Sequence, residues 1–376
     1  MNRTLLPYIQ HDLKKKIVLL AGPRQVGKTT LSKSLMRNFE YLNYDSSKDR
    51  KIIQQAEWRK DVDLVILDEI HKKLHWKSWI KGIYDTEGIP PSLLLTGSAR
   101  LDTFRKGGDS LAGRHFYFRL HPFTVKELRG QMQSEEALQR ILKFGGFPEP
   151  FLSKSNQTAE RWRRSHLDVI LRQDLLDLER VREIRNIEIL IELLAERVGS
   201  TISLQSLAED VGTSSHTIKH WLEILERLFV IFKVSPYSKN ISAAIKKESK
   251  YYFYDVGQVV NGEAARLENA VACALLAELS FQEDTAGKKG ALHFIRNKQK
   301  QEVDFLGLIN KTPRLLVEVK QSDDNFCPTL LRFSQALKSQ SLQSFQIVRN
   351  LERPKEKSGV QLISAADFLE KVTIAQ

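Results

Sequence analysis

The chain is 376 residues long and 41% hydrophobic, which is ample for packed interiors and implies two or three domains rather than one. Lys and Arg outnumber Asp and Glu by 58 to 46, and the formal charge of +12 favours polyanionic partners, nucleic acid foremost, or else serves solubility alone. Cys273 and Cys327 are the only cysteines, which excludes a disulfide framework and a cysteine zinc cluster; no run reaches membrane-spanning length and Met1–Leu5 lacks an apolar signal segment, so the expected setting is a reducing cytoplasm without a membrane partner.

In chain order, the first element is the apolar run Ile17–Ala21, read as a buried strand. It leads directly into Gly22-Pro23-Arg24-Gln25-Val26-Gly27-Lys28-Thr29 and a helix from Thr29 to Met36. This is the spacing of a phosphate-binding loop. Gly22 and Gly27 let backbone N–H groups approach phosphate oxygens, Lys28 neutralises the β and γ phosphates, and the Thr29 hydroxyl can ligate Mg²⁺. With Thr30 in the first helical turn, these residues form the expected nucleotide-binding set. The next strand, Leu64–Leu67, ends in Asp68 and Glu69, at the sheet edge where α/β proteins bind ligands. Asp68 is expected to hold Mg²⁺ through water, and Glu69 to polarise the attacking water. A third strand, Ser92–Ser98, brings Thr96 or Ser98 within reach of the γ-phosphate or that water. Arg114, after Gly113, suits either an arginine finger given to a neighbouring subunit of a homo-oligomer or an ordinary surface ion pair.

These motifs, with Leu95-Thr96-Gly97-Ser98, Ala112-Gly113-Arg114 and Leu120–Glu127, resemble a prokaryotic AAA-type P-loop ATPase family whose C-terminal half is catalogued as a domain of unknown function. Gly145–Glu149, Tyr252–Gly257 and Glu302–Phe305 resemble the same family's later landmarks, so the likeness spans nearly the whole chain. It implies an ATP-binding AAA-type ATPase without a settled cellular role.

Residues 1–130 alternate short strands and helices, as a nucleotide-binding α/β core does. Residues 131–190 read as a helical lid or linker, with helices at Glu135–Lys143 and Thr158–Arg182 separated by Gly145–Pro148 and the polar link Ser153–Gln157. One of Arg161, Arg163, Arg164 and Arg172 could reach nucleotide there, or all four could make a solvated basic face. Residues 191–255 read as a winged helix-turn-helix. Ser203 caps a helix over Leu204–Asp210, a turn at Thr213–Ser215 starts a second helix to Leu228, and Phe229–Val234 and Tyr251–Tyr254 form the wing strands. Ser215, His216, Lys219 and His220 on the second helix, with Lys246 and Lys247 in a basic wing loop that also holds Lys239 and Lys250, are the expected DNA contacts. Glu223 lies on the same helical face, and packing against protein is the alternative use of such a module.

Residues 256–376 carry a second chemical pattern, in the order αβββαβ: a helix over Arg266–Leu279, strands at Ala291–Asn297, Glu302–Leu308 and Arg314–Lys320, a helix at Thr329–Leu337 and a strand at Ser344–Arg349. Period-2 alternation puts Glu302 and Asp304 on one face of their strand, and Glu318 and Lys320 on one face of theirs, with Val303, Phe305, Val317 and Val319 in the core. Asp304 and Glu318 can then share Mg²⁺ or Mn²⁺, with Glu268 as a third oxygen ligand and Lys320 orienting water, or the Asp and the Glu-x-Lys can be ordinary cross-strand salt bridges. The arrangement resembles the PD-(D/E)XK nuclease superfamily, with Val303 where a proline is usual. The full expectation is therefore an α/β chain with an AAA-type ATPase core, helical lid, winged helix and nuclease-like domain. It would hydrolyse ATP, engage DNA and cut it with a metal. The alternative is a nucleotide switch whose C-terminal half binds DNA or protein without cleavage.

Overall fold

Three runs of five, apolar or small in every residue but Asp68, set the first layer: β1 (Ile17–Ala21), β3 (Leu64–Asp68) and β4 (Ser92–Thr96) are buried along their whole length. Such runs suit a parallel sheet covered on both faces. In the computed structural model, which describes residues 3–97, 111–175, 183–238, 248–322, 325–337 and 341–374, they join β2 (Phe39–Asn43) and β5 (His115–Arg119) in a five-stranded sheet of order β2-β3-β4-β1-β5. Every neighbouring pair in it is parallel. Helices α1 (Leu6–Leu13), α2 (Lys28–Ser34), α3 (Ser47–Gln55) and α4 (Trp76–Glu87) complete this part. On one face Leu19, Val65, Leu67, Leu93 and Leu95 pack with Trp58, Trp76 and Ile80. The chain leaves β1 toward β2 on one side, while β5 lies on the other. The loop after β1 thus occupies the point where strand order reverses, where a crevice opens at the carboxyl ends of the strands.

Two compact units divide the chain: Met1–His121 with Arg227–Phe229, and Pro122–Glu226 with Val230–Gln376. The second begins with helices α5 (Ser134–Phe144), α6 (Pro148–Ser153) and α7 (Asn156–Val169), the last continuing as a π-helical turn over Ile170–Asp174. The helix expected over Thr158–Arg182 thus starts two residues early, where the Ser155 hydroxyl accepts the Thr158 N–H; its final residues, 176–182, lie outside the described residues. Next come α8 (Ile184–Glu196), α9 (Leu204–Val211) and α10 (Ser215–Arg227). Ser203 caps α9 through the Ser206 N–H, and Gly212 ends it in the left-handed conformation at φ 76°, as its sequence dictates.

An eight-stranded sheet follows, of order β12-β13-β11-β10-β9-β8-β6-β7: β6 (Ile231–Pro236), β7 (Lys250–Phe253), β8 (Gly290–Arg296), β9 (Glu302–Ile309), β10 (Thr312–Lys320), β11 (Gln343–Val348), β12 (Lys355–Lys357) and β13 (Val360–Ser364). Helices α11 (Gly262–Ala286), α12 (Pro328–Ala336) and α13 (Ala365–Lys371) pack on it. The order helix, three strands, helix, strand matches the sequence pattern, and β12, β13 and α13 extend it. The β6–β7 hairpin, expected as a wing, is antiparallel but does not stand alone. Ser235 and Pro236 of β6 pair in parallel with His293 and Phe294 of β8, so the hairpin is the edge of the C-terminal sheet. The expected boundary at 255/256 therefore falls inside a single hydrogen-bonded sheet. Asn269 of α11 serves that edge: its Oδ1 accepts the Phe253 N–H and its Nδ2 donates to the Phe253 carbonyl, each at 2.8 Å, as a neighbouring strand would.

Gly22 adopts φ 147°, and a Cβ there would lie 2.3 Å from the Leu120 carbonyl oxygen, since the loop crosses the end of β5. Gly22→Ala is therefore expected to destabilise the first unit by at least about 2 kcal/mol, read as a lower urea midpoint of its transition. A wild-type midpoint would show that the loop can move off Leu120.

Candidate functional site

The loop after β1 closes on itself through Lys28, the first residue of α2. The buried Lys28 ammonium donates to the carbonyls of Gly22 at 2.9 Å and Pro23 at 2.7 Å, which holds the loop curled around it. Gly27 before it takes φ 100°, and Gln25 takes φ 61°. Thr29 lies half-buried in the first turn, and its hydroxyl donates to Asp68 Oδ2 at 3.2 Å. Thr30, next in the helix, is exposed.

Asp68 ends β3, and four donors meet on its carboxylate. Oδ2 accepts from Thr29 and, at 2.7 Å, from the Tyr41 hydroxyl; Oδ1 accepts from Thr96 and, at 3.0 Å, from the Glu69 N–H. Strand register explains the convergence. Asn43 pairs with Asp68, so Tyr41 two residues earlier lies diagonally on the same face, and Leu67 pairs with Leu95, which sets Thr96 beside Asp68. Burial and then the Asp68 carboxylate push the Tyr41 hydroxyl's pKa up, so it stays protonated and donating. Glu69 takes φ 54° and turns its carboxyl aside, 3.5 Å from His71 Nε2 and 3.9 Å from Lys72 Nζ. Burial, and then the charge of Asp68, raise its pKa above the usual carboxylate value, against the pull of Lys72, Lys28 and Arg24. A carboxylate made more basic in this way is a better proton acceptor. Thr29 Oγ and the Asp68 carboxylate are hard oxygen donors side by side at the sheet edge, and this donor set fits Mg²⁺.

Tyr41 is the residue that motif reading missed, although its signal was present: an aromatic hydroxyl two residues before the end of a strand that neighbours the Asp-Glu strand. Ser98 lies outside the described residues. Arg114 makes a two-pronged ion pair with Asp85, Nε to Oδ1 at 2.6 Å and Nη2 to Oδ2 at 3.1 Å, the surface alternative that its sequence allowed. Among the arginines expected near nucleotide, Arg163 is committed to Asp255 at 2.8 Å and to the Phe144 carbonyl, Arg172 pairs with Asp168, and Arg161 and Arg164 are exposed. On α10, Ile218, Trp221, Leu222 and Leu225 are buried; His216, Lys219 and Glu223 are exposed, and Ser215 and His220 are half-buried. Lys239, Lys246 and Lys247 lie outside the described residues.

The second cluster differs from its expectation. The register Val317↔Phe305 does bring Asp304 opposite Glu318. Both faces of β10 are covered, by α11 and α12, so Glu318 is buried while Val319, expected in the core, is only half-buried. Asp304 Oδ2 accepts the Val319 N–H at 2.9 Å, and Glu318 Oε1 pairs with Lys320 Nζ at 2.6 Å. Burial and then Asp304 push Glu318 up to about 7, and the same two causes push Glu268 up to about 7. Glu268 points to another partner. Its Oε1 accepts the Tyr252 hydroxyl at 2.6 Å and lies 3.4 Å from Lys250 Nζ, which also reaches Glu302 at 2.7 Å and Asp304 at 3.5 Å. Lys250, expected in an exposed basic loop, is buried on β7. Among the described residues no group of three or more His, Cys, Asp or Glu is arranged to hold a metal ion. Where a divalent site was expected at Glu268, Asp304 and Glu318, the Lys250 ammonium stands beside Glu268 and Asp304, and Glu318 Oε2 is buried with no hydrogen-bond partner.

With this geometry in view, comparison with known proteins is informative for the first unit. Residues 14–129 match an AAA domain family, and residues 135–264 match a domain of unknown function, DUF8612. The chain carries a P-loop AAA-type ATPase domain. An uncharacterized protein of Mycobacterium tuberculosis is 26% identical over 245 residues, 64% of this chain and 54% of its own length; an uncharacterized protein of Haemophilus influenzae is 26% identical over 312 residues, 72% and 77%. The match thus spans about half the length of the mycobacterial relative. Among solved structures, a variant of Thermotoga maritima RuvB aligns at a TM-score of 0.31 and 17% identity over 61% of this chain and 86% of its own. A Pyrococcus horikoshii signal transduction ATPase with numerous domains aligns at 0.29 and 13% over 76% and 48%. No described helix is long and apolar enough to cross a membrane.

The Asp68 network yields a direct expectation. Tyr41→Phe removes one of the two side-chain donors on Oδ2 while keeping the ring, and, if Asp68 serves Mg-ATP, is expected to lower ATP turnover about 10-fold with little change in KM, as loss of a supporting hydrogen bond to a metal-holding carboxylate does. Steady-state phosphate release measures it, and a wild-type kcat would remove Tyr41 from the site.

Proposed function

We propose that the first unit binds Mg-ATP and hydrolyses it, with Gly22 to Thr30 around the phosphates, Lys28 on the β and γ phosphates, Thr29 and Asp68 holding the metal and Glu69 as the base toward the attacking water. The observation that carries this reading is the junction of Thr29, Asp68 and Thr96 beside the curled loop. Lys28 lets go of the Gly22 and Pro23 carbonyls to meet phosphate oxygens, a stronger, charge-assisted partner. Bound Mg²⁺ supplies charge neutralisation at the phosphates. Thr96 and Tyr41 hold Asp68 in place while Thr29 turns its hydroxyl lone pairs outward. Glu69, made more basic by burial and by Asp68, takes the proton of the water; Ser98 is a further candidate for holding that water.

Glu69→Gln is expected to keep nucleotide affinity and to lose turnover by a factor of roughly 10² or more, since the amide preserves size but cannot accept the proton. Lys28→Ala is expected to lose affinity itself. Fluorescent-nucleotide titration beside phosphate release separates the two, and undiminished turnover in Glu69→Gln would assign the base elsewhere. Arg114 enters this scheme only if its pairing with Asp85 opens toward a neighbouring subunit. In that case mixing Arg114→Ala with Lys28→Ala chains restores part of the hydrolysis, and no restoration assigns Arg114 to the surface pair alone.

For the second unit we propose contact with DNA through α10 and the basic stretch that holds Lys246 and Lys247. The exposed His216 and Lys219 beside half-buried Ser215 and His220, together with the net charge of +12 and the basic Lys246 and Lys247, support it. Lys219→Glu is expected to weaken binding to duplex DNA and to flatten its salt dependence by about one unit of slope, because one phosphate contact is lost. An affinity that ignores both salt and Lys219→Glu would favour the protein-packing alternative.

A further inference from the structure

The carboxylate cluster on the second unit brings together residues from four places in the sequence: Lys250 and Tyr252 on β7, Glu268 on α11, Glu302 and Asp304 on β9. Period-2 alternation puts Lys250 and Tyr252 on one face of β7, and both reach Glu268 Oε1, the lysine at 3.4 Å and the tyrosine hydroxyl at 2.6 Å. The ammonium continues to Glu302 Oε1 at 2.7 Å and Asp304 Oδ1 at 3.5 Å. Its three N–H donors face three carboxylates.

We propose that the Lys250 ammonium is the resident cation of this cluster, so that Glu268, Glu302 and Asp304 form an ion-paired joint between β7, α11 and β9 and take up no divalent metal. This inference is independent of ATP turnover in the first unit. Space supports it first. A divalent cation shared by Glu268 and Asp304 would need their oxygens at about 2.0–2.6 Å. Lys250 Nζ already stands 3.4 Å from Glu268 Oε1 and 3.5 Å from Asp304 Oδ1. An incoming cation would have to occupy nearly the place of Nζ, against its charge.

Other oxygens of these carboxylates are held too. Asp304 Oδ2 accepts the Val319 N–H at 2.9 Å, and Glu318 Oε1 is paired with Lys320 at 2.6 Å, while Glu318 Oε2 is buried with no hydrogen-bond partner and lies outside the Lys250 cluster. The other oxygen of Glu268 faces the backbone at Gly199, where a Cβ would come within 2.7 Å of Oε2.

Lys250 also has no easy way out. Its side chain is 2% exposed, and Nζ sits 5.6 Å from the centre of the Phe294 ring. Moving it to water would leave three half-buried carboxylates together without a cation. On this reading the residues that resemble a metal-dependent nuclease site act as a scaffold.

The test is Mn²⁺ binding to the nucleotide-free full chain, followed by electron paramagnetic resonance, which needs no activity. Wild type and Asp304→Asn are expected to bind the same number of Mn²⁺ ions. Lys250→Met, which keeps the length of the side chain and removes the charge, is expected to gain one Mn²⁺, and Lys250→Met with Asp304→Asn to lose it again. An Mn²⁺ ion bound by wild type and lost in Asp304→Asn overturns the proposal, as does a Lys250→Met chain that folds and gains none. Should Lys250→Met not fold, the wild type and Asp304→Asn pair decides the question. Circular dichroism of Asp304→Asn in the same samples separates loss of a ligand from loss of fold.

Discussion

A charge removed from water costs several kcal/mol unless an opposite charge or several hydrogen bonds replace the solvent. Each unit of this protein is organised around one such buried group. In the first, Asp68 is buried at the end of a fully apolar strand and survives there because four donors converge on its two oxygens. In the second, Lys250 is buried at the start of β7 among Glu268, Glu302 and Asp304, whose charges outweigh the effect of burial and raise its pKa. Taking the partners from either group would leave an unsatisfied ion in a packed interior.

The two solutions differ in what they leave open. The donors on Asp68 are neutral hydroxyls and one amide, and they can share the carboxylate with an incoming cation without opposing its charge. The Lys250 ammonium cannot. A carboxylate supported by hydroxyls at a sheet edge thus remains a candidate ligand, and a carboxylate bridged by a buried ammonium does not. In the functions proposed here, the same carboxylate chemistry serves a binding site in one sheet and a structural joint in the other because the neighbours differ in charge.

Backbone continuity adds a second constraint. The two-helix segment α9–α10 leads through Val230 into β6, and β6 is hydrogen-bonded both to β7 and to β8. The hairpin that brings Lys250 to the carboxylates is therefore also the connection to α10. Asn269, buried and bonded to both backbone groups of Phe253, holds that hairpin to α11 one residue away from Glu268.

Local pattern was enough to read several of the elements. Ile17–Ala21, Leu64–Asp68 and Ser92–Thr96 are apolar runs of strand length, Ser203 and Gly212 bracket α9, and the alternation at 302–305 and 317–320 marks β9 and β10, because burial periodicity and capping act over a few neighbouring residues. The sequence by itself also determined the chemistry of the phosphate-binding loop, since Gly22, Gly27, Lys28 and Thr29 are close in the chain and their spacing alone specifies the turn. Partners distant in sequence were decided only by tertiary structure. Tyr41 reaches Asp68 through strand register, Arg114 meets Asp85 across the end of a sheet, and Lys250 meets Glu302 because β6 joins β8. A lysine after a basic stretch reads as solvated until the sheet is assembled; the assembled sheet surrounds it with carboxylates and seals it from water, and that burial is a property no local pattern contains.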